Sequence, residues 1–209
     1  MDAVIFDLDG VLIDSEQVWD EVRQSFARAH GGTWTASATR AMQGMSTPEW
    51  ASYLVSDVGV QLPAAEVSAG VVAEMEKAYA AHLPVISGAV EAVRAVASRY
   101  SVAIASSAPA VLIKVFLEVT GLPVPVAVSS EECAAGKPSP DVYLLAASRL
   151  GVAASSCYAV EDSTNGLKAA LAAGMTVLAV PNPHFPPAAD VLAQVRVLES
   201  VSDLPDALA

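Results

Sequence analysis

The sequence of 209 residues contains few cysteines, few aromatic residues and few positive charges. Its two cysteines, Cys133 and Cys157, form no CxxC pair, so neither a disulfide framework nor a zinc site is expected. The 11 Lys and Arg residues are scattered among 23 Asp and Glu residues, and the net charge of −12 argues against a nucleic-acid partner. No apolar run is long enough to cross a bilayer, and residues 1–6 lack the basic start of a signal peptide. We therefore expect a cytoplasmic protein with no membrane partner.

Short apolar segments do recur along the chain, separated by stretches of helix length. They occupy residues 3–6, 101–105, 124–128, 157–160 and 176–180. Val, Ile and Ala dominate these segments without strict alternation, which is typical of strands buried on both faces. The repetition of strand and helix predicts an α/β fold with one parallel sheet covered by helices on both sides. We predict the strand order 3-2-1-4-5, in which the first and fourth strands are neighbours.

One long region interrupts this alternation. Between residues 15 and 83 the pattern contains no strand, and amphipathic helices are predicted over residues 15–30, 47–58 and 64–82. The sequence therefore predicts two domains. Residues 1–14 and 84–209 form the sheet-containing core, and residues 15–83 form an inserted helical domain.

Residues able to carry chemistry follow four of the predicted strands, each at a carboxyl end. They are Asp7 and Asp9, Ser106 and Ser107, Lys137, and Glu161 and Asp162. Open α/β sheets bind ligands at this edge, where the carboxylates suit a hard cation or an acid–base pair. Hydroxyls and free N–H groups before a helix suit an anion, and the Gly-Lys-Pro sequence fixes the position of the lysine. Each feature alone could be a surface turn or a helix cap, but together they predict a single site.

These motifs also resemble a known family. The set Asp7-x-Asp9-Gly10, Ser106, Lys137 in GKPSPD and Glu161 in VEDSTNG is similar to the haloacid dehalogenase superfamily over essentially the whole chain. Within that superfamily it resembles the branch of sugar-phosphate phosphatases and β-phosphoglucomutase. The resemblance implies a Rossmann-like core with a small cap domain. It also implies a monomeric phosphatase that uses Mg²⁺ and acts on a small phosphorylated metabolite.

The resemblance further implies a role for each acid. Asp7 is expected to attack phosphorus and form an aspartyl-phosphate, while Asp9 protonates the leaving alcohol and then deprotonates water. Mg²⁺ is expected on the Asp7 side chain, the backbone carbonyl of Asp9 and Asp162, with Glu161 ligating or supporting. The phosphate monoester would thus be hydrolysed in two steps.

The phosphate group needs contacts of its own. The acidic chain as a whole would repel an anion, so a local positive charge is needed. The resemblance implies that Ser106, Ser107 and Lys137 hold the phosphate oxygens. In the inserted domain, Gly44 is a candidate contact to the rest of the substrate. The residues that set substrate specificity stay open.

Two alternatives to a phosphatase remain. A β-phosphoglucomutase would move a phosphoryl group between sugar positions, and it needs an arginine where this chain has Thr47. It also tends to carry a basic side chain near Ala108, so the pattern favours hydrolysis. A module that binds phosphorylated metabolites without catalysis would be expected to lose Asp7 or Asp9, and both are present.

Overall fold

The computed structural model describes residues 1–42, 45–182 and 186–209. It divides into two compact units, a core unit of Met1–Asp14 with Leu83–Ala209 and a helical unit of Ser15–His82. Within the described residues, no helix combines the length and the apolar character needed to cross a membrane.

The helical unit is built around apolar helix faces. Its described residues form helices α1 (Glu16–Ala29), α2 (Ala36–Ala41), α3 (Thr47–Ser56) and α4 (Ala64–Ala81). The ends of α1, α3 and α4 lie within two residues of the predicted ends, whereas the short α2 was not predicted. The guanidinium of Arg23 on α1 lies 4.7 Å and 4.9 Å from the ring centroids of Trp19 and Trp50. These aromatic contacts join α1 to α3 inside this unit.

The core unit contains a parallel sheet. Its described strands are β1 (Ala3–Phe6), β2 (Ser101–Ser106), β3 (Val126–Ser129), β4 (Cys157–Glu161), β5 (Thr176–Ala179) and β6 (Arg196–Val197). Their order is β3-β2-β1-β4-β5-β6, so the predicted order of the first five strands is confirmed. The strand β6 extends this order at the edge beside β5. Its two exposed residues carry no apolar pattern that could have predicted it.

Helices cover both faces of this sheet. The core unit contains, among its described residues, α5 (Ala89–Ala97), α6 (Ala110–Thr120), α7 (Asp141–Leu150), α8 (Thr164–Ala172), α9 (Ala189–Leu192) and α10 (Leu204–Ala207). Ala3 and Ile5 of β1 share one apolar cluster with residues of α7 and α8. Because side chains alternate along a strand, Val4 and Phe6 point to the opposite face. All four residues of β1 are fully buried, which agrees with their uninterrupted apolar sequence.

The chain turns sharply where β1 ends. Gly10 has a φ of 81°, a left-handed conformation that glycine adopts without strain, and its N–H donates to the carbonyl of Ile13 at 2.8 Å. The turn leads into a short antiparallel contact, in which the Asp14 N–H donates to the Pro84 carbonyl at 2.8 Å. This turn keeps the residues after β1 at the carboxyl edge of the sheet.

Candidate active site

The carboxyl ends of β1 and β4 bring Asp7, Glu161 and Asp162 together. Each residue offers a carboxylate oxygen, and these oxygens lie within 4.8 Å of one another. Asp7 is 6 % exposed, Glu161 0 % and Asp162 8 %, so the cluster is buried. The parallel pairing of β1 with β4 explains the convergence, because Phe6 and Val160 are level and the acids follow directly.

Lys137 supplies positive charge to this cluster. Its ammonium nitrogen lies 2.6 Å from Asp7 Oδ1 and 2.6 Å from Glu161 Oε1, and its side chain is 6 % exposed. Lys137, in the loop between β3 and α7, therefore lies at the carboxyl ends of β1 and β4. With Asp162, the group comprises three carboxylates and one ammonium, so it carries two net negative charges when all four are ionised.

Burial shapes the ionisation of these groups. It raises the pKa of the Asp7 carboxyl to about 7, although Lys137 lowers it, and Glu161 raises it further. Burial likewise raises the pKa of Asp162 well above its ordinary value, and Glu161 adds to this effect. For Lys137, burial favours the neutral amine, yet the two carboxylates beside it raise its pKa above the ordinary value. Close acids of this kind are fully ionised only when further positive charge is added.

The donor set fits a divalent cation with a preference for oxygen. The cluster offers carboxylate oxygens alone, the ligands that Mg²⁺ and Ca²⁺ take in proteins, and its two excess negative charges match the charge of such an ion. Gly10 packs directly against this site, because a Cβ added there would overlap the carboxylate of Asp162. Asp9 lies in the same turn, where it is half-buried and forms a backbone bridge with Ile13.

The serines predicted at the end of β2 lie at the same edge in different environments. Ser106 is fully buried, and its Oγ accepts a hydrogen bond from the Ala108 N–H at 3.0 Å. Ser107 is exposed. Since the Ser106 oxygen accepts from the backbone, its hydroxyl proton remains able to donate to an anion. Gly44, the candidate in the helical unit, lies outside the described residues.

Sequence reasoning missed two polar residues of the core unit, Tyr143, which contacts the cluster, and Ser129, which ends the neighbouring strand of β2. Tyr143 on α7 is fully buried, and its hydroxyl donates to Glu161 Oε1 at 2.9 Å. Ser129 at the end of β3 donates from Oγ to the carbonyl of Ala108 at 2.7 Å. A serine directly after the predicted segment 124–128 was a signal for the second residue. The tyrosine is indistinguishable in sequence from an ordinary core residue of a helix.

A Rossmann-like α/β fold with buried acids at the carboxyl ends of adjacent strands defines the class of this protein. The family model of haloacid dehalogenase-like hydrolases matches residues 1–174, and the chain belongs to this family of hydrolases.

Several known proteins are similar to this chain over most of its length. A phosphorylated carbohydrates phosphatase from Thermotoga maritima is 31 % identical over 178 residues, which cover 84 % of this chain and 82 % of that protein. Hexitol phosphatase A of Escherichia coli K12 is 32 % identical over 202 residues, covering 88 % of this chain and 84 % of the relative. A solved structure of a putative β-phosphoglucomutase from Thermotoga maritima is also similar, and the match covers 100 % of this chain and 98 % of the chain in that structure. Its TM-score is 0.76 and its sequence is 28 % identical.

Proposed function

We propose that this hydrolase is a Mg²⁺-dependent phosphatase of small phosphate monoesters, with sugar phosphates as its substrate class. The observation that carries the proposal is the ammonium of Lys137, shared at 2.6 Å between Asp7 and Glu161 inside a buried acidic cluster. This arrangement keeps a carboxylate and a cation together where an anionic ester would react. The similarity to phosphatases of phosphorylated carbohydrates and of hexitol phosphates supports the same substrate class.

Asp7 is the proposed nucleophile. Its carboxylate oxygen would attack phosphorus, the ester P–O bond would break, and the leaving alkoxide would take a proton from Asp9. Water that returns its proton to Asp9 would then attack the aspartyl-phosphate, releasing inorganic phosphate and the free carboxylate. Lys137 would hold Asp7 in one orientation and, by lowering its pKa, favour the ionised form that attacks.

The proposed metal ligands are Asp7, Asp162 and the backbone carbonyl of Asp9, with Glu161 ligating or supporting. When bound, Mg²⁺ would neutralise charge on the phosphoryl group and so remove the repulsion between two anions. Because the acids are already gathered within 4.8 Å, the chain would need little rearrangement to hold the ion.

The remaining phosphate oxygens would be held by Ser106, Ser107 and Lys137. The Ser106 Oγ accepts from the Ala108 N–H, and this contact orients the hydroxyl at the start of the loop before α6. A fixed hydroxyl and an ammonium would together form a preorganised anion site.

Phosphate release from a panel of phosphorylated sugars and one aryl phosphate, with Mg²⁺ or with EDTA, tests the proposal. We expect turnover only with Mg²⁺ and a kcat/KM at least about tenfold higher for a sugar phosphate than for the aryl phosphate. If no ester releases phosphate in a Mg²⁺-dependent manner, the chain is a binding module and the proposal is wrong.

A mutase is the second candidate, because the fold matches a putative β-phosphoglucomutase with a TM-score of 0.76. At the start of α3, however, this chain carries Thr47, a neutral side chain that offers no positive charge to a second phosphate. Incubation with β-glucose 1-phosphate and a sugar bisphosphate primer discriminates the two. We expect inorganic phosphate as the product, whereas glucose 6-phosphate without net phosphate release would identify the mutase.

A further inference from the structure

Both carboxylate oxygens of Glu161 accept hydrogen bonds. Its Oε1 accepts from Lys137 Nζ at 2.6 Å and from the Tyr143 hydroxyl at 2.9 Å. Its Oε2 accepts from the N–H groups of Asp162 at 3.0 Å and Ser163 at 3.2 Å, and from the Ser163 hydroxyl at 3.2 Å. Because Glu161 is fully buried, these donors fix its orientation without competition from solvent.

Tyr143 touches both members of the Glu161–Lys137 pair. Its hydroxyl donates to Glu161, and the Lys137 nitrogen lies 5.0 Å from the centroid of its ring. A cation within about 6 Å of an aromatic face is attracted to it.

Packing of the Tyr143 ring does not require its hydroxyl. The Tyr143 ring belongs to the apolar cluster between α7 and the sheet, and a phenylalanine ring would fill the same space. A buried hydroxyl is unfavourable unless it is paired, and here its partner is the carboxylate that binds Lys137. The polar atom of this residue is therefore directed to the active-site cluster.

We propose that Tyr143 is a positioning residue, whose hydroxyl orients Glu161 so that Lys137 stays between Glu161 and Asp7. The inference rests on the proposed function, in which Lys137 orients the nucleophile and holds a phosphate oxygen. Without the hydroxyl, Glu161 Oε1 would lose one of its two donors and Lys137 would lose a fixed partner.

The variant Tyr143→Phe tests this role while retaining the ring. We expect kcat to fall about 10- to 100-fold, the range typical of residues that orient metal or active-site ligands. The inhibition constant of inorganic phosphate should rise, whereas the Mg²⁺ concentration for half-maximal activity should change less. The matched control is Tyr100→Phe, which removes a hydroxyl that donates to the Leu208 carbonyl at 3.0 Å in the same unit. It should leave kcat and phosphate inhibition unchanged.

A double-mutant cycle with Glu161→Gln tests whether Tyr143 acts through Glu161. Residues that act through one another give non-additive effects, so Tyr143→Phe should cost little in the Glu161→Gln background. Full additivity, or a Tyr143→Phe variant with parental kcat and phosphate inhibition, would overturn the inference while leaving a Mg²⁺-dependent parent activity intact.

A spectroscopic measurement keeps the inference testable if the parent proves inactive. The chain has four lysines, and Lys137 is buried whereas Lys77, Lys114 and Lys168 are exposed. A ¹⁵N-lysine NMR spectrum should therefore contain one ammonium signal that is protected from exchange with water. We expect this signal to shift or broaden in Tyr143→Phe and to stay unchanged in Tyr100→Phe. An unaltered signal in Tyr143→Phe would contradict the positioning role independently of activity.

Discussion

The carboxyl edge of the sheet has two halves that hold their polar groups in different ways. In the charged half, at β1 and β4, buried carboxylates bind an ammonium at 2.6 Å. In the hydroxyl half, at β2 and β3, Ser106 and Ser129 bond instead to the backbone of Ala108. The charged half therefore depends on the balance of charges, and the hydroxyl half on the shape of one loop. Substitutions in the two halves should differ accordingly.

The largest expected effect comes from Asp7→Asn in the charged half. Asparagine retains the size of the side chain but removes the carboxylate that we propose as the nucleophile, so we expect kcat to fall by about four orders of magnitude or more. Circular dichroism should report an intact fold. The control Asp2→Asn neutralises an exposed acid just before the same strand and should leave kcat unchanged. Near-parental turnover of Asp7→Asn would remove this residue as the nucleophile.

Gly166→Ala probes the charged half without changing a charge. A Cβ on Gly166 would overlap the Glu161 carboxylate, so the substitution should displace Glu161 from Lys137. We expect kcat to fall about 10- to 100-fold, measured by steady-state kinetics. Alanine is the better helix former, so loss of helix propensity cannot explain such a decrease. The control Lys168→Ala alters an exposed position of the same helix, and equal losses in both variants would contradict this explanation.

The balance of charges also predicts a pH-dependent effect of metal on stability. The pKa of Asp7 is about 7 in the folded chain, above its ordinary value of 3.8. Without metal, the folded state binds more protons between these values, so its stability falls as pH rises from about 4 to about 7. An ion bound at Asp7, as proposed for Mg²⁺, would compete with the proton and should stabilise the folded chain more at pH 8 than at pH 5.5.

Thermal unfolding with EDTA or with Mg²⁺ measures this effect. At 100 times its dissociation constant, an ion adds about 2.7 kcal/mol, which corresponds to about 5–10 °C in Tm for a chain of this size. We expect such a shift at pH 8 and a much smaller one at pH 5.5. Equal shifts at both pH values would show that Asp7 is not among the ligands.

The sequence predicted the sheet and most of the residues at its carboxyl edge, because both follow from local patterns. The uninterrupted apolar segments gave five strands and their order, and the acids at strand ends indicated where Asp7 and Asp162 meet. The edge strand β6 could not be predicted, because Arg196 and Val197 are exposed. The chemical roles of the edge residues stay predictions, since they depend on reactivity rather than on position.

Local sequence patterns could not predict the contacts between segments that are distant in sequence. Tyr143 and Glu161 are 18 residues apart, and their hydrogen bond depends on how α7 packs against the sheet. Lys137 and Asp7 are 130 residues apart, so the motif could indicate a fixed lysine but not that two carboxylates share it. Long-range packing thus determines how the predicted residues are connected.

The smallest expected effect lies in the hydroxyl half, at Ser129. Its hydroxyl donates to the Ala108 carbonyl at 2.7 Å and accepts from the Glu131 N–H at 3.2 Å. Ser129→Ala would leave the Ala108 carbonyl and the Glu131 N–H without the Ser129 hydroxyl, which should lower the free energy of unfolding by about 1–3 kcal/mol. Because no charge is lost, kcat/KM should fall no more than about tenfold, through a looser loop after Ser106.

Urea unfolding and steady-state kinetics measure the two effects of Ser129→Ala in the same preparation. The matched control is Ser98→Ala, whose hydroxyl also donates to a backbone carbonyl at 2.7 Å, that of Ala95, but at an exposed helix end. We expect Ser98→Ala to change neither quantity appreciably, because water can replace the lost hydroxyl. If Ser129→Ala reduced turnover as strongly as Gly166→Ala, the two halves of the edge would not differ, and the loop would orient the reacting groups as directly as the charges do.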